Sequence, residues 1–205
     1  MNELLLQSLK NSFSYPQYLN LLEELVKNGN TTGEPTEDRI NFTALNFKRI
    51  QRLNKRIRLP EEQKTIFKNI ETKQTWLVLL ESWCADGAQT IPVLNKIAET
   101  SDNISLKIIL RDENPEIMDN FLTNGTRSIP KLIILDEDFQ VMATWGPRSV
   151  PATKMVADYK EEFGKIDATF KARLQVWYNK DHGLSIINEL SDIVQKLEKN
   201  SFTSV

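Results

Sequence analysis

The sequence predicts an α/β chain, with a mixed central sheet flanked by helices and helical extensions at both ends. Three observations carry this. Trp76-Leu77-Val78-Leu79-Leu80 is a short, continuous apolar run, as expected of a strand covered on both faces. From Thr75 to Gly146, strand-like and helix-like segments alternate in the order β-α-β-α-β-β, which calls for a mixed sheet with helices packed on it. Before and after this stretch, apolar residues recur at helical spacing. The chain therefore divides into a helical amino-terminal extension (1–74), an α/β core (75–150) and a helical carboxy-terminal segment packing on the core (151–205).

In the extension, Leu4, Leu5, Leu9 and Phe13 share one helical face, as do Leu19, Leu22, Leu25 and Val26. Residues 28–38 are rich in turn formers and lack apolar side chains, which predicts an exposed loop. A helix follows from Asn41 to Leu59, with Leu45, Ile50, Leu53 and Ile57 as its buried side. Pro60 ends it, because proline disfavours helical geometry in the residue before it. In the core, strands are predicted at 76–80, 105–110, 132–135 and 141–145. Helices are predicted at 86–99 and 115–122, the second opened by Pro115. Asp136, Glu137 and Asp138 fit a hairpin connector. Beyond 150, Met155, Val156 and Tyr159 begin a helical pattern that Phe170, Leu174 and Trp177 extend. Gly183 interrupts it, and Leu184, Ile187, Leu190, Val194 and Leu197 form a last amphipathic helix.

Composition excludes several classes of function. The 205 residues are 40% hydrophobic and 26% charged, enough to bury a real core and incompatible with wholesale disorder. A net charge of -2 argues against a global nucleic-acid footprint. A single cysteine excludes an intrachain disulfide, an all-cysteine metal site and an internal dithiol cycle, and a single histidine argues against a histidine-rich metal site. No apolar run is long enough to span a bilayer, and the start, Met-Asn-Glu-Leu-Leu-Leu-Gln, lacks the features of a signal peptide. These features, with a lone reduced thiol, predict a cytoplasmic protein.

Cys84 sits at a predicted strand-to-helix junction. There, unpaired helix N–H groups and the positive end of the helix dipole favour the thiolate, the reactive form. The alternative is a buried cysteine acting as a small hydrophobe. Arg127-Ser128-Ile129-Pro130 precedes a strand, where proline is tolerated because no ladder donor is needed.

From Thr75 to Gly146 the chain resembles the thioredoxin family. Trp83-Cys84 resembles the start of the family's Trp-Cys-Gly-Pro-Cys site, and Pro92 stands where thioredoxins kink the following helix. Val93 to Ala98, Asp112-Glu113-Asn114-Pro115, the Ile129-Pro130 loop and Gly146 match further family features in order. The resemblance implies a thioredoxin-like fold, a cis Ile129–Pro130 bond, Cys84 as catalytic residue, and Trp83, Arg127, Ile129 and Pro130 around the substrate. Three departures stand out. Gly87 replaces the resolving cysteine, Val78 replaces a buried aspartate that assists proton transfer, and Asp86 replaces the active-site proline. A carboxylate at Asp86 opposes ionisation of Cys84, and Arg127 is expected to offset it. The Trp83-to-Ala88 segment, Arg111 to Asn114 and Trp145 to Arg148 also resemble a bacterial thioredoxin-like subgroup with helical extensions.

Other features have simpler readings beside functional ones. Lys48, Arg49, Arg52, Lys55, Arg56 and Arg58 form a basic run without an acid, either a solvated helix face or a surface for phosphates or acidic membranes. His182 fits a surface or capping role. Glu81 and Asp86 fit local charge and helix capping. Trp145 fits either a docking groove beside Trp83 or the core.

Two functions follow as expectations. In the first, Cys84 exchanges with protein or small-thiol disulfides through a mixed disulfide, resolved by an external thiol such as glutathione, with no bound cofactor or metal. In the second, the thioredoxin frame is a binding module without turnover, holding an extended segment between the Cys84 and Pro130 loops. A glutathione-dependent transferase, which shares the fold, matches the basic helix and extension lengths less well.

Overall fold

The computed structural model describes residues 2–203, with side chains through residue 199, so Met1 and the last two residues of the carboxy-terminal segment lie outside the described residues. The elements in chain order are helices α1 (Asn2–Lys10), α2 (Tyr15–Lys27), α3 (Glu37–Arg56) and α4 (Glu61–Lys68), strand β1 (Gln74–Leu80), α5 (Ala85–Ala98), β2 (Ile104–Leu110), α6 (Pro115–Asn120), β3 (Lys131–Leu135), β4 (Val141–Trp145), α7 (Val150–Phe163), α8 (Ala168–Asp181) and α9 (Leu184–Thr203). The sheet order is β2-β1-β3-β4, with β1 parallel to β2 and antiparallel to β3, and β3 antiparallel to β4. The sheet is therefore mixed, as the alternation predicts.

The apolar run of β1 is central and buried from Trp76 to Leu80. The outer edge of β2 is partly covered by Phe13, which exchanges backbone hydrogen bonds with Ile108 at 2.8 and 2.9 Å. Pairing an edge strand in this way removes a template for aggregation. Ile91, Leu94 and Ile97 of α5 and Ile187, Leu190 and Val194 of α9 join the same core as the sheet.

Several expectations need correction. Residues 28–38 are not wholly exposed, because Thr31 and Thr32 are buried. Thr31 Oγ1 lies 2.8 Å from Thr43 Oγ1 and 3.1 Å from Ser82 Oγ, and the Thr32 N–H donates to Ser82 Oγ at 3.0 Å. Asn46 Nδ2 donates to the Ser82 carbonyl at 2.9 Å. The loop is rich in hydroxyls because it plugs a polar joint at the end of β1. The same joint resets the face of α3, which buries Thr43, Asn46, Ile50 and Leu53 and leaves Leu45 exposed. That helix starts at Glu37, with Thr36 as its cap, and stops at Arg56, so Ile57 is buried as the capping residue rather than within the helix. Helix α4 follows Pro60 in a stretch without a predicted element.

The β3–β4 connector runs through Gln140 rather than ending at Asp138, because Asp136 Oδ1 accepts from the N–H groups of both Asp138 and Gln140. Past 150, the helical pattern is broken at Gly164, whose φ of 75° ends α7. Between α7 and α8 a second small core forms from Ala152, Val156, Phe170, Leu174 and Tyr178, with Trp177 only partly buried. Among the described residues no helix is long and apolar enough to cross a membrane.

Gly146 links β4 to the Pro130 loop. It has φ +110°, and a Cβ there would sit 2.3 Å from the Pro130 carbonyl oxygen. Both the backbone conformation and the close approach demand glycine. Gly146→Ala should destabilise the fold by about 2–4 kcal/mol. The urea unfolding midpoint measures this, and an unchanged midpoint would show that the two loops are not in tight contact.

Candidate functional site

Cys84 follows a short Glu81-Ser82-Trp83 turn just past the end of β1 at Leu80, and is the N-cap of α5. Its Sγ accepts the Gly87 N–H at 3.3 Å, and its S–H donates to the Ile129 carbonyl at 3.4 Å. The residue is 7% exposed. Burial first, and then the Asp86 charge, push the thiol up to about 12, while the Gly87 N–H and Arg148 act in the opposite direction. The expected effect of the helix N-terminus is present, but desolvation of the charged form outweighs it. At neutral pH the sulfur is a protonated donor.

Asp86 is buried, and neither it nor Glu81 caps α5. One Asp86 oxygen accepts the Tyr178 hydroxyl at 3.0 Å, and the other meets Arg148 Nη2 at 2.5 Å. Breaking such a shielded pair typically costs about 3–5 kcal/mol, because it strands a charge. The buried Glu81 carboxylate accepts from Thr32 Oγ1 and, at 2.8 Å, from the Asp112 N–H. Burial raises its pKa, against the pull of these two donors. It fastens β1, the Thr32 loop and the end of β2 together.

Arg127 is not the cation that offsets Asp86. It is exposed and paired through Nε and Nη2 with both oxygens of Asp119, each at 2.6 Å. The cation beside Cys84 and Asp86 is Arg148. Its signal in the sequence was its place just after Gly146, the residue that backs onto Pro130. Ile129 and Pro130 are buried, and the Ile129–Pro130 peptide is cis. Trp83 is approached by two guanidinium groups, Arg39 at 4.6 Å and Arg111 at 5.0 Å from its ring centroid. Trp145 takes the core alternative. It is 7% exposed and donates its indole N–H to Glu189 at 2.8 Å. His182 ends α8 in a left-handed conformation.

Gly87 occupies the place of a resolving cysteine, and a Cβ there would lie 2.0 Å from Leu80 Cδ1. Leu80 is itself buried, so the surrounding packing has closed over the space a second thiol would need. Sequence alone showed the missing cysteine but not the side chain that fills its room.

Beside Cys84 opens a cleft of about 730 Å³. One wall is α3, including Arg39, Phe42 and Arg49. Another is α8 and the residues before it, including Ile166, Lys171 and Gln175. The floor holds Trp83, Cys84, Ile129 and Arg148. The basic run of α3 is thus split. Arg49 faces the cleft, Arg52 donates to Asn179 of α8 at 2.5 Å, and Lys48, Lys55 and Arg56 are exposed. Among the described residues no cluster of histidine, cysteine and carboxylate side chains could hold a metal.

A cysteine loop closing the central strand, a helix rising from it and a proline loop facing the sulfur define a thioredoxin-type protein. A family model described as thioredoxin matches residues 33–160, and the chain belongs to that family. The match begins at Gly33 and so takes in α3. Among solved structures, a protein of unknown function from Pseudomonas aeruginosa is similar at 19% identity, covering 90% of this chain and 99% of that one, with a TM-score of 0.60. An HIV epitope scaffold is similar at 20% identity over 90% of this chain and 99% of its own, with a TM-score of 0.56. At these identities the likeness is one of fold. Comparison with curated proteins finds no match.

Gly87→Cys should cost about 1–3 kcal/mol through overpacking against Leu80. Chemical denaturation measures this, and wild-type stability would mean that Leu80 moves aside freely. A second expectation concerns pH. The folded thiol holds its proton to about 12, against an ordinary value of 9.0. Its contribution to stability is therefore complete below pH 9 and is lost as pH rises towards 12. Across that window Cys84→Ser should lose less stability than the wild type, as read from denaturation midpoints. Parallel curves would refute the shift.

Proposed function

We propose that this protein is a thioredoxin-fold binding module, in which the groove beside the Cys84 and Pro130 loops holds a partner and Cys84 is a structural thiol at rest. The observation that carries this reading is the seating of the sulfur, buried, protonated and donating to the Ile129 carbonyl. A resting nucleophile needs the opposite, an accessible thiolate. The filled space at Gly87 supports the same reading, since an internal resolving thiol has no room. A soluble, cytoplasmic protein goes with this proposal, as does a partner that is a protein segment or a small molecule rather than a metal or a nucleic acid.

One observation favours a second reading. Cys84 lines the cleft and has Arg148 near it, so a ligand that displaced the Ile129 contact would uncover the sulfur. In that reading Cys84 thiolate attacks a protein or small-molecule disulfide, forms a mixed disulfide and expels one thiolate. Glutathione or another external thiol then attacks the mixed disulfide, which restores Cys84 and leaves the external thiol in a new disulfide.

Alkylation and partner capture separate the two. On the binding reading, iodoacetamide modifies Cys84 far more slowly than free cysteine at pH 7.5, and the rate keeps rising beyond pH 9. Glutathione disulfide leaves no mixed disulfide visible by mass spectrometry, and Cys84→Ser retains the wild-type partners under reducing conditions. Rapid glutathionylation at neutral pH, or capture that requires the sulfur, would overturn it in favour of exchange.

A further inference from the structure

The chemistry of the cleft lining narrows what can occupy it. Four cations line it, Arg39, Arg49, Arg148 and Lys171, against two carboxylates, Asp38 and Asp86. Asp86 is already neutralised by Arg148. Arg49 is half-buried, and among the described residues its guanidinium has one hydrogen-bond partner, the Asn46 amide oxygen at 2.9 Å, and no ion-pairing carboxylate. Burial, followed by the neighbouring Arg52, lowers its pKa, and the Asp86 carboxylate, already paired with Arg148, offsets this only in part. Lys171, on the opposite wall, likewise has no ion-pair partner among the described residues.

Among the cleft residues the unmet hydrogen-bonding capacity is of one kind. Arg148 Nε and Trp83 Nε1 are buried without partners, and both are donors. Buried donors without acceptors are costly and uncommon in folded proteins, and they call for a missing acceptor. Apart from Thr36 and Gln175 the rest of the lining is largely apolar, with Phe42, Ile129, Ile166 and Phe170 among its side chains. The volume, about 730 Å³, falls in the range of pockets that enclose small organic molecules.

We infer that the cleft between α3 and α8 binds a small amphiphilic anion, its acidic head held by Arg49 and Lys171 and its apolar body lying against Phe42 and Ile166. This rests on the reading of the cleft as a binding site and adds the chemical class of the occupant. An uncharged ligand would leave Arg49 without a direct ion pair, and a cationic one would be repelled.

The test uses the full chain and two fluorescent probes of similar shape, anilinonaphthalene sulfonate, which is anionic, and N-phenylnaphthylamine, which is neutral. The anionic probe should bind saturably at one site, with affinity that falls as salt is added. Lys171→Gln, at an exposed position, and Arg49→Gln should each weaken it by about tenfold, the scale of a lost charge-assisted bond. Neutral-probe affinity and the melting temperature should stay near wild type. If Arg49→Gln proves misfolded, Lys171→Gln decides alone. Equal binding of both probes, with no effect of either substitution, would overturn the anion assignment and leave the cleft as a binding groove. Absence of saturable binding of the anionic probe would overturn it too. The broader reading is judged separately by the alkylation and capture of Cys84 variants.

Discussion

The Cys84 sulfur bridges two loops that lie 45 residues apart in sequence. It accepts an N–H from the first turn of α5 and gives its own hydrogen to the carbonyl before Pro130. Each contact is weak by the standard of an amide hydrogen bond. Together they set the distance between the helix that rises from β1 and the loop that enters β3, and the cleft opens from that point. Because the contact to Ile129 needs the neutral thiol, packing and protonation reinforce each other there. Burial disfavours the thiolate, and the protonated form supplies the donor that closes the joint.

Around this joint the two helical ends of the chain act as walls. The amino-terminal side reaches the site through hydroxyls: Thr31, Thr32 and Thr43 meet Ser82, and Glu81 draws in Thr32 and the end of β2. The carboxy-terminal side reaches it through charge and aromatic hydroxyl, with Arg148 and Tyr178 sharing Asp86. A carboxylate that would be a handicap beside a reactive cysteine is here the anchor for α8. The aspartate in the first turn of α5 therefore makes structural sense once the thiol is no longer asked to ionise.

Much of this was legible from the chain. Periodicity located the four strands and the helices of the core, because a strand buried on both faces must be continuously apolar and a helix on a sheet must be apolar on one side. The ordered motifs pointed to the family and to Cys84. Individual side chains were another matter. Arg127 and Arg148 are both basic residues near loops of the site, and nothing local tells which one turns inward. Asp119 captures Arg127 at the surface, and Asp86 captures Arg148 in the interior. Apolar spacing alone puts Leu45 on the buried side of its helix, but the first half of α3 packs on the polar joint through Thr43 and Asn46, and only its second half, with Ile50 and Leu53, enters the apolar core.

By itself the sequence determined the order of elements, the mixed sheet, the loss of the second thiol and the position of the first at a strand-to-helix junction. These follow from local patterns and residue identities. Tertiary structure alone decided the state of that thiol, the cation beside it, the leucine that closes the space at Gly87 and the basic cleft between α3 and α8. All four depend on desolvation and on contacts between residues far apart in the chain, and the strength of a charge is set by what surrounds it rather than by what precedes it.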